Sequence, residues 1–225
     1  MENRLYIMNT DALSEDALLL AASGRLSETR RAKAERLVFR RDRNLSIGAG
    51  LLLDHALRRF GLREKDMQYG VRENGKPYFP DHPELCFNLS HSGSMALCAV
   101  SGQEVGCDIE AIAAPRLGVA RRSYTEREYN DVLSRTSESE QAELFFRYWS
   151  LKESYMKFTG LGLALRTSVF EIRMADGGIS VRQNGYAEPV CFTEYRSVPG
   201  YACAVCARAD FRDVPLTWVT AAKAL

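Results

Sequence analysis

The feature that most constrains the fold is an order of elements that occurs twice: a helical stretch, then short strands separated by turns. In the first series Leu45, Leu51, Leu52, Leu53, Ala56, Leu57 and Phe60 recur at roughly helical spacing, and Gly61 ends the run. Asn74-Gly75, flanked by Val71 and by Tyr78-Phe79, is a hairpin signal. Phe87–His91, Met95–Val100 and Val105–Ile109 then read as short strands divided by Ser92-Gly93 and Ser101-Gly102. In the second series a looser stretch from Ala111 to Gly118 leads into a helical region from Thr125 through Phe158. Asp176-Gly177-Gly178 and Asn184-Gly185 punctuate the strands that follow. The strand-like segment Ser94–Val100 is echoed by Gly200–Cys206. The prediction is an α+β fold of two similar α/β halves, residues 1–105 and 106–225, packed side by side with a ligand cleft between them.

With 46% hydrophobic and 26% charged residues in a chain of 225, disorder, collagen and coiled coil are excluded. The longest unbroken apolar runs, Ala17–Ala22 and Met95–Val100, are six residues each, far short of the ~18 a membrane span needs. The amino terminus has no basic region followed by a long apolar stretch, so a cytoplasmic protein is expected. The six cysteines are then expected to be thiols in the core. Cys203 and Cys206, at an odd spacing on a strand, should point to opposite faces, which argues against zinc.

Thirty Lys and Arg against 29 Asp and Glu give a formal charge of +1, but the balance is not local. Arg25, Arg30, Arg31, Lys33, Arg36, Arg40, Arg41 and Arg43 crowd a stretch that reads as helix, with Ser27-Glu28 as its start. Such a run is either a solvated helix face or a site for polyanions, nucleic acid or a phosphorylated small molecule.

Three segments carry chemistry. In Gly106-Cys107-Asp108-Ile109-Glu110 the strand period puts Asp108 and Glu110 side by side, with Cys107 and Ile109 toward the core. Two adjacent carboxylates repel. They are either solvated acids at a strand edge or ligands of a cation such as magnesium, which takes one or two carboxylates plus substrate phosphates. In Phe145–Lys157, helical spacing puts Trp149, Glu153 and Lys157 on one stripe flanked by Lys152. That stripe is either a surface pair beside an aromatic or a third carboxylate and two ammonium groups that complete a metal site and neutralise phosphate oxygens. In Phe87-Asn88-Leu89-Ser90-His91-Ser92-Gly93, a histidine between hydroxyls just before a glycine suits a phosphate donor better than a packing role. A Ser/His/Asp triad is disfavoured, because neither Ser90 nor Ser92 lies on a G-x-S-x-G elbow.

In this order, Asn74-Gly75-Lys76-Pro77, Phe87-Asn88-Leu89-Ser90-His91-Ser92, Gly106-x-Asp108-Ile109-Glu110 and Trp149-Ser150-x-Lys152-Glu153-Ser154-x-x-Lys157 resemble the 4′-phosphopantetheinyl transferases of the surfactin-synthetase (Sfp) type. The resemblance implies two α/β halves related by pseudo-twofold symmetry, with coenzyme A and Mg2+ (or Mn2+) in the cleft. The phosphopantetheine arm would move from coenzyme A to a serine of an apo acyl or peptidyl carrier protein, releasing adenosine 3′,5′-bisphosphate. Position by position, Asp108, Glu110 and Glu153 match the metal-binding carboxylates. Ser90 and His91 match residues that hold coenzyme A phosphates, Lys76 belongs to the block that meets the nucleotide end, and Lys157 matches a lysine close to the pyrophosphate. Lys152 is counted with the coenzyme A ligands. Arg30 and Lys33 fall where the family places cations near the 3′-phosphate, and Ser46 where it often has threonine. Arg122-Ser123-Tyr124 departs from the two aromatics that often follow this arginine.

Attack on a pyrophosphate meets concentrated negative charge, which a divalent ion and lysines offset as the leaving phosphate develops. On this reading Glu153, Lys157 and Asp108 are catalytic. Arg116, Arg121 and Arg122, interleaved with Leu117, form a docking surface for an acidic carrier. A monomer is expected, without nucleic acid or membrane partners. Two competing functions remain: a magnesium-dependent nucleotide phosphohydrolase using the same carboxylates with water as nucleophile, and a nucleic-acid-binding module that leaves the acidic positions unexplained.

Overall fold

The computed structural model describes residues 2–13, 24–175 and 177–224. The run Ala17–Ala22 and Asp176 of the expected turn lie outside them. In chain order the main elements are β1 (Arg4–Asn9), α1 (Glu28–Glu35), α2 (Arg40–Arg58), β2 (Cys86–Ser92), β3 (Met95–Ser101), β4 (Val105–Ala111), α3 (Leu117–Ser123), α4 (Glu126–Leu133), α5 (Glu138–Thr159), β5 (Phe170–Ala175), β6 (Gly178–Gln183), β7 (Cys191–Glu194), β8 (Tyr201–Ala207), β9 (Leu216–Trp218) and α6 (Ala221–Ala224). The fold is α+β.

The chain forms two compact units. One is Met1–Gly70, Pro77–Gly102 and Val214–Leu225; the other is Val71–Lys76 and Gln103–Asp213. These bounds differ from a divide at 105/106 in two places. The carboxy-terminal tail joins the first unit because β9 pairs in parallel with β1 and Val219 N–H donates to Ile7 O at 2.9 Å. Residues 71–76 join the second unit through Lys76, described below.

In the first unit the sheet order is β9-β1-β3-β2, antiparallel apart from the β9–β1 pair. Helix α2 covers one face with Leu51, Leu52, Leu53, Ala56 and Leu57, all fully buried. At about 1.5–3 kcal/mol per buried leucine, this apolar stripe rather than helix propensity holds α2 in place. The basic stretch expected as helix over Arg25–Arg43 is broken: α1 ends at Glu35, and Phe39, extended at φ −87° and ψ 132°, restarts the chain as α2. Beneath lies a network of buried charges. Asp54, fully buried, accepts from Arg58 Nε (2.9 Å), Arg63 Nε (3.0 Å) and Glu64 N (3.0 Å). Glu64, also fully buried, accepts from Ser27 Oγ (3.0 Å), Arg30 Nε (2.9 Å) and the Tyr69 hydroxyl.

In the second unit α5 lies on the antiparallel sheet β7-β8-β4, and β5-β6 with Tyr186–Ala187 forms a separate sheet. The helical region expected over Thr125–Phe158 is two helices. Each starts with a capping box, Thr125 with Glu128 and Ser137 with Glu140, because serine and threonine hydroxyls satisfy the free N–H groups of a new helix better than they continue an old one. Gly160, at φ 71°, ends α5 in the left-handed conformation. Strands β3 and β8, which carry the sequence echo, are each paired on both sides within their own sheet.

Cys203 and Cys206 fall opposite Ile109 and Gly106, one on each face of β8, as their spacing predicts. All six cysteines are free thiols, but Cys191 is exposed rather than in the core. Among the described residues no helix is long and apolar enough to cross a membrane.

Candidate active site

The site is built where β4 and α5 touch. Gly106 makes the contact possible: a Cβ there would stand 2.1 Å from Ser154 O and 2.3 Å from Phe158 N, so the strand backbone lies directly against the helix backbone. Asp108, two residues on and on the same face, is therefore carried beneath the helix and is only 2% exposed. It is not a solvated acid at a strand edge. Glu110, further along that face and opposite Ala202, is half-buried.

From α5, Lys157 donates its Nζ to Asp108 Oδ1 at 2.6 Å. Burial by itself would push the Lys157 ammonium down, but Asp108, with Cys107 and Glu153, outweighs it and leaves it raised. Glu153, one turn earlier on the same stripe, is pushed upward, first by burial and then by the Asp108 charge, with Lys157 partly opposing. Asp108 and Glu153 thus repel each other across the strand and the helix, and one ammonium does not neutralise both. The donor set, two coupled carboxylate groups with Glu110 on the same face, suits a hard cation. Among the described residues, however, no three such side chains converge as a ligand cluster, and Lys157 supplies the positive charge at Asp108.

Trp149 is half-buried and stacks on Phe145, with ring centres 6.0 Å apart. Lys152 does not join the stripe. Its Nζ donates to Thr167 O and Phe170 O, both at 2.8 Å, and pairs with Glu128 Oε2 at 2.8 Å, with 1% of the side chain exposed. An ammonium has three donors and all are spent, so Lys152 is not a coenzyme A ligand. Lys76 is redirected in the same way. Its Nζ donates to Val105 O (2.9 Å) and Phe158 O (3.3 Å) and pairs with Glu104, tying its turn to the start of β4 and the end of α5. The turn itself forms as expected, with Gly75 at φ 86°.

In the first unit Arg30 faces inward. Its Nε pairs with Glu64 and its Nη2 lies 3.4 Å from the Tyr69 hydroxyl, so it serves first as counter-ion to a buried carboxylate. Lys33 is exposed and Ser46 is buried in α2. Ser90 and His91 are consecutive on β2, opposite Leu97 and Ala96, and so project to opposite faces, Ser90 buried and His91 exposed. Arg116, Arg121 and Arg122 are exposed on and before α3, while Leu117 packs on the core of the second unit rather than joining them at the surface. Sequence reasoning missed Glu128 and Glu64, the buried partners of Lys152 and Arg30. Only the first had a legible signal, the Thr-x-x-Glu capping box.

The family model described as "4'-phosphopantetheinyl transferase superfamily" matches residues 104–206, and that described as "4'-phosphopantetheinyl transferase, N-terminal" matches residues 14–103. Among curated proteins, 4'-phosphopantetheinyl transferase Sfp of Bacillus subtilis (strain 168) is 34% identical over 184 residues, covering 81% of this chain and 82% of the relative. A 4'-phosphopantetheinyl transferase of Bacillus subtilis is 34% identical over 212 residues, 93% of each. A solved holo-(acyl-carrier-protein) synthase from Bacillus anthracis str. Ames aligns with 46% of this chain and 93% of its own, at 21% identity and a TM-score of 0.36. With both parts of the chain matched and the order of motifs intact from the turn at Gly75 to Lys157, this protein belongs to the 4′-phosphopantetheinyl transferase family.

Proposed function

We propose that the chain moves the 4′-phosphopantetheine arm of coenzyme A onto a serine hydroxyl of an apo acyl or peptidyl carrier protein, releasing adenosine 3′,5′-bisphosphate. The observation that carries this reading is the Asp108, Glu153 and Lys157 constellation, braced by Gly106, in a chain of this family.

Asp108 and Glu153, with Glu110 further along the strand face that carries Asp108, are the residues that would hold Mg2+ or Mn2+. Such an ion supplies charge neutralisation at a pyrophosphate. Lys157 stabilises the leaving phosphate as the bond from the β-phosphorus to the bridging oxygen breaks. The Glu153 carboxylate is suited to take the proton of the attacking serine, directly or through one water. The nucleophile comes from the partner. Lys33 and His91, both exposed, are the donors of the first unit for coenzyme A phosphates. The exposed Arg116, Arg121 and Arg122 offer an acidic carrier a basic surface, which steers encounter more than it adds affinity.

The test is intact mass spectrometry after incubation with coenzyme A, Mg2+ and apo carrier protein. The carrier gains one phosphopantetheine arm if the proposal holds. No gain with several carriers, together with nucleotide hydrolysis, would favour the hydrolase instead.

A further inference from the structure

Helix α5 buries apolar side chains on almost every side, among them Phe146, Tyr148, Leu151, Met156 and Phe158. A helix that is apolar all round is well buried at many rotations about its axis. Hydrophobic burial therefore does not by itself select the rotation that turns Glu153 and Lys157 toward Asp108; directional contacts must. Two sets stand out on this helix: Arg147 forks onto Glu194 with two bonds of 2.8 Å near its middle, and Lys152, the neighbour of Glu153, anchors it next to the site. Lys152 meets three acceptors at 2.8 Å: Thr167 O, Phe170 O and Glu128 Oε2. Glu128, fully buried, also accepts from Thr125 N at 2.7 Å and Ile172 N at 2.7 Å. The start of α4, the middle of α5, the segment 167–170 and β5 are thus pinned to one pair of charges. A buried ion pair adds little net stability over apolar residues of the same size, because desolvation offsets most of the attraction. What it does provide is a single permitted geometry.

We infer that Glu128 and Lys152 are a positioning pair that sets the rotation and axial placement of α5 at which Glu153 faces Asp108 and Lys157 reaches it, without touching substrate. The inference rests on the proposed roles of Glu153 and Lys157.

The experiment compares wild type, Lys152→Met, Glu128→Gln and the double variant. Thermal melting, direct Mn2+ binding by electron paramagnetic resonance, and kcat and KM for transfer are measured on each. Lys152→Met alone strands a buried carboxylate and lowers Tm; adding Glu128→Gln removes the charge, keeps an acceptor oxygen for one of Thr125 N and Ile172 N, which bond to different oxygens of Glu128, and restores part of it. Expected in the folded double variant are a kcat lower by about tenfold or more, a KM for coenzyme A within about threefold, and Mn2+ binding weaker by about fivefold. If the double variant does not fold, Glu128→Gln alone, in which Lys152 keeps its two carbonyl partners, is expected to shift kcat and Mn2+ binding the same way. A folded variant with unchanged kcat and unchanged Mn2+ affinity overturns the inference and leaves the pair purely structural. Failure of the wild type to modify any carrier overturns the proposed function instead, and the Mn2+ comparison still decides the role of the pair.

Discussion

Replacing Gly106 by alanine puts one methyl group between two backbones. The new Cβ would lie 2.1 Å from Ser154 O, 2.3 Å from Phe158 N and 2.9 Å from Lys157 C. All three are backbone atoms, so no side chain can swing aside. Ordinary contact begins at 3.4 Å, so β4 and α5 must part by roughly 1.3 Å in a close-packed interior. Overpacking of this kind costs about 1–3 kcal/mol. For a chain of this size that lowers Tm by roughly 2–12 °C. The same displacement, taken along the Asp108–Lys157 contact, stretches it from 2.6 Å to about 3.9 Å, beyond hydrogen-bond range. A misplacement of ~1 Å at reacting groups costs on the order of 10²-fold in rate. Differential scanning calorimetry reads the first effect, and steady-state transfer to a carrier protein with saturating coenzyme A reads the second. Gly106→Ala with an unchanged Tm and a kcat within about twofold of wild type would show that the close approach does not set the site.

Lys157→Met is expected to lower kcat more than it raises KM for coenzyme A, because its charge is needed most as the leaving phosphate forms; a pure KM effect in initial-rate measurements would reduce it to a binding residue. Arg30→Ala should lower Tm by uncovering the buried Glu64 carboxylate, whereas Lys33→Ala, at an exposed position, should leave Tm unchanged and raise KM for coenzyme A. The opposite pattern would return Arg30 to the ligand. Asp54 is held below its usual value of 3.8: burial acts the other way, but hydrogen bonds from Arg63, Glu64 N and Arg58 prevail. A depressed carboxylate stabilises the fold above its unfolded pKa and loses that contribution as pH falls through the folded one. Asp54→Asn should therefore be less stable than wild type by about 1–3 kcal/mol at neutral pH, with the gap shrinking below pH 3.8 in urea melts. A gap independent of pH would refute the charge argument.

Local rules made much of the molecule legible in advance. The strands β2, β3 and β4 were evident within one or two residues at each end, because their apolar runs are bounded by glycine-containing turns. The stripe of Trp149, Glu153 and Lys157 follows from helical spacing, and the juxtaposition of Asp108 and Glu110 from the strand period. The breaks between α1 and α2 and between α4 and α5 were harder, since both segments are rich in helix formers: the capping Ser137 marks the second, whereas Phe39, which makes no side-chain cap bond, leaves the first unmarked. Strands β1 and β9 were not anticipated. Their pairing joins the two ends of the chain, and no local window contains it.

The amino-acid sequence by itself determined the family and the α+β class, and singled out Asp108, Glu110, Glu153 and Lys157 as candidates, because each is written in short-range spacing and in the order of motifs. Only the tertiary structure decided which charges are spent inside the fold. Lys152, Lys76 and Arg30 look in the sequence like cations available to phosphate, yet each is bound to a carboxylate that lies at least 24 residues away in the chain, Glu128, Glu104 and Glu64. The physical reason is that a buried charge, the carboxylate of Glu128 or Glu64 or the ammonium of Lys76, demands a counter-ion, and which residue supplies it depends on packing at long sequence separation.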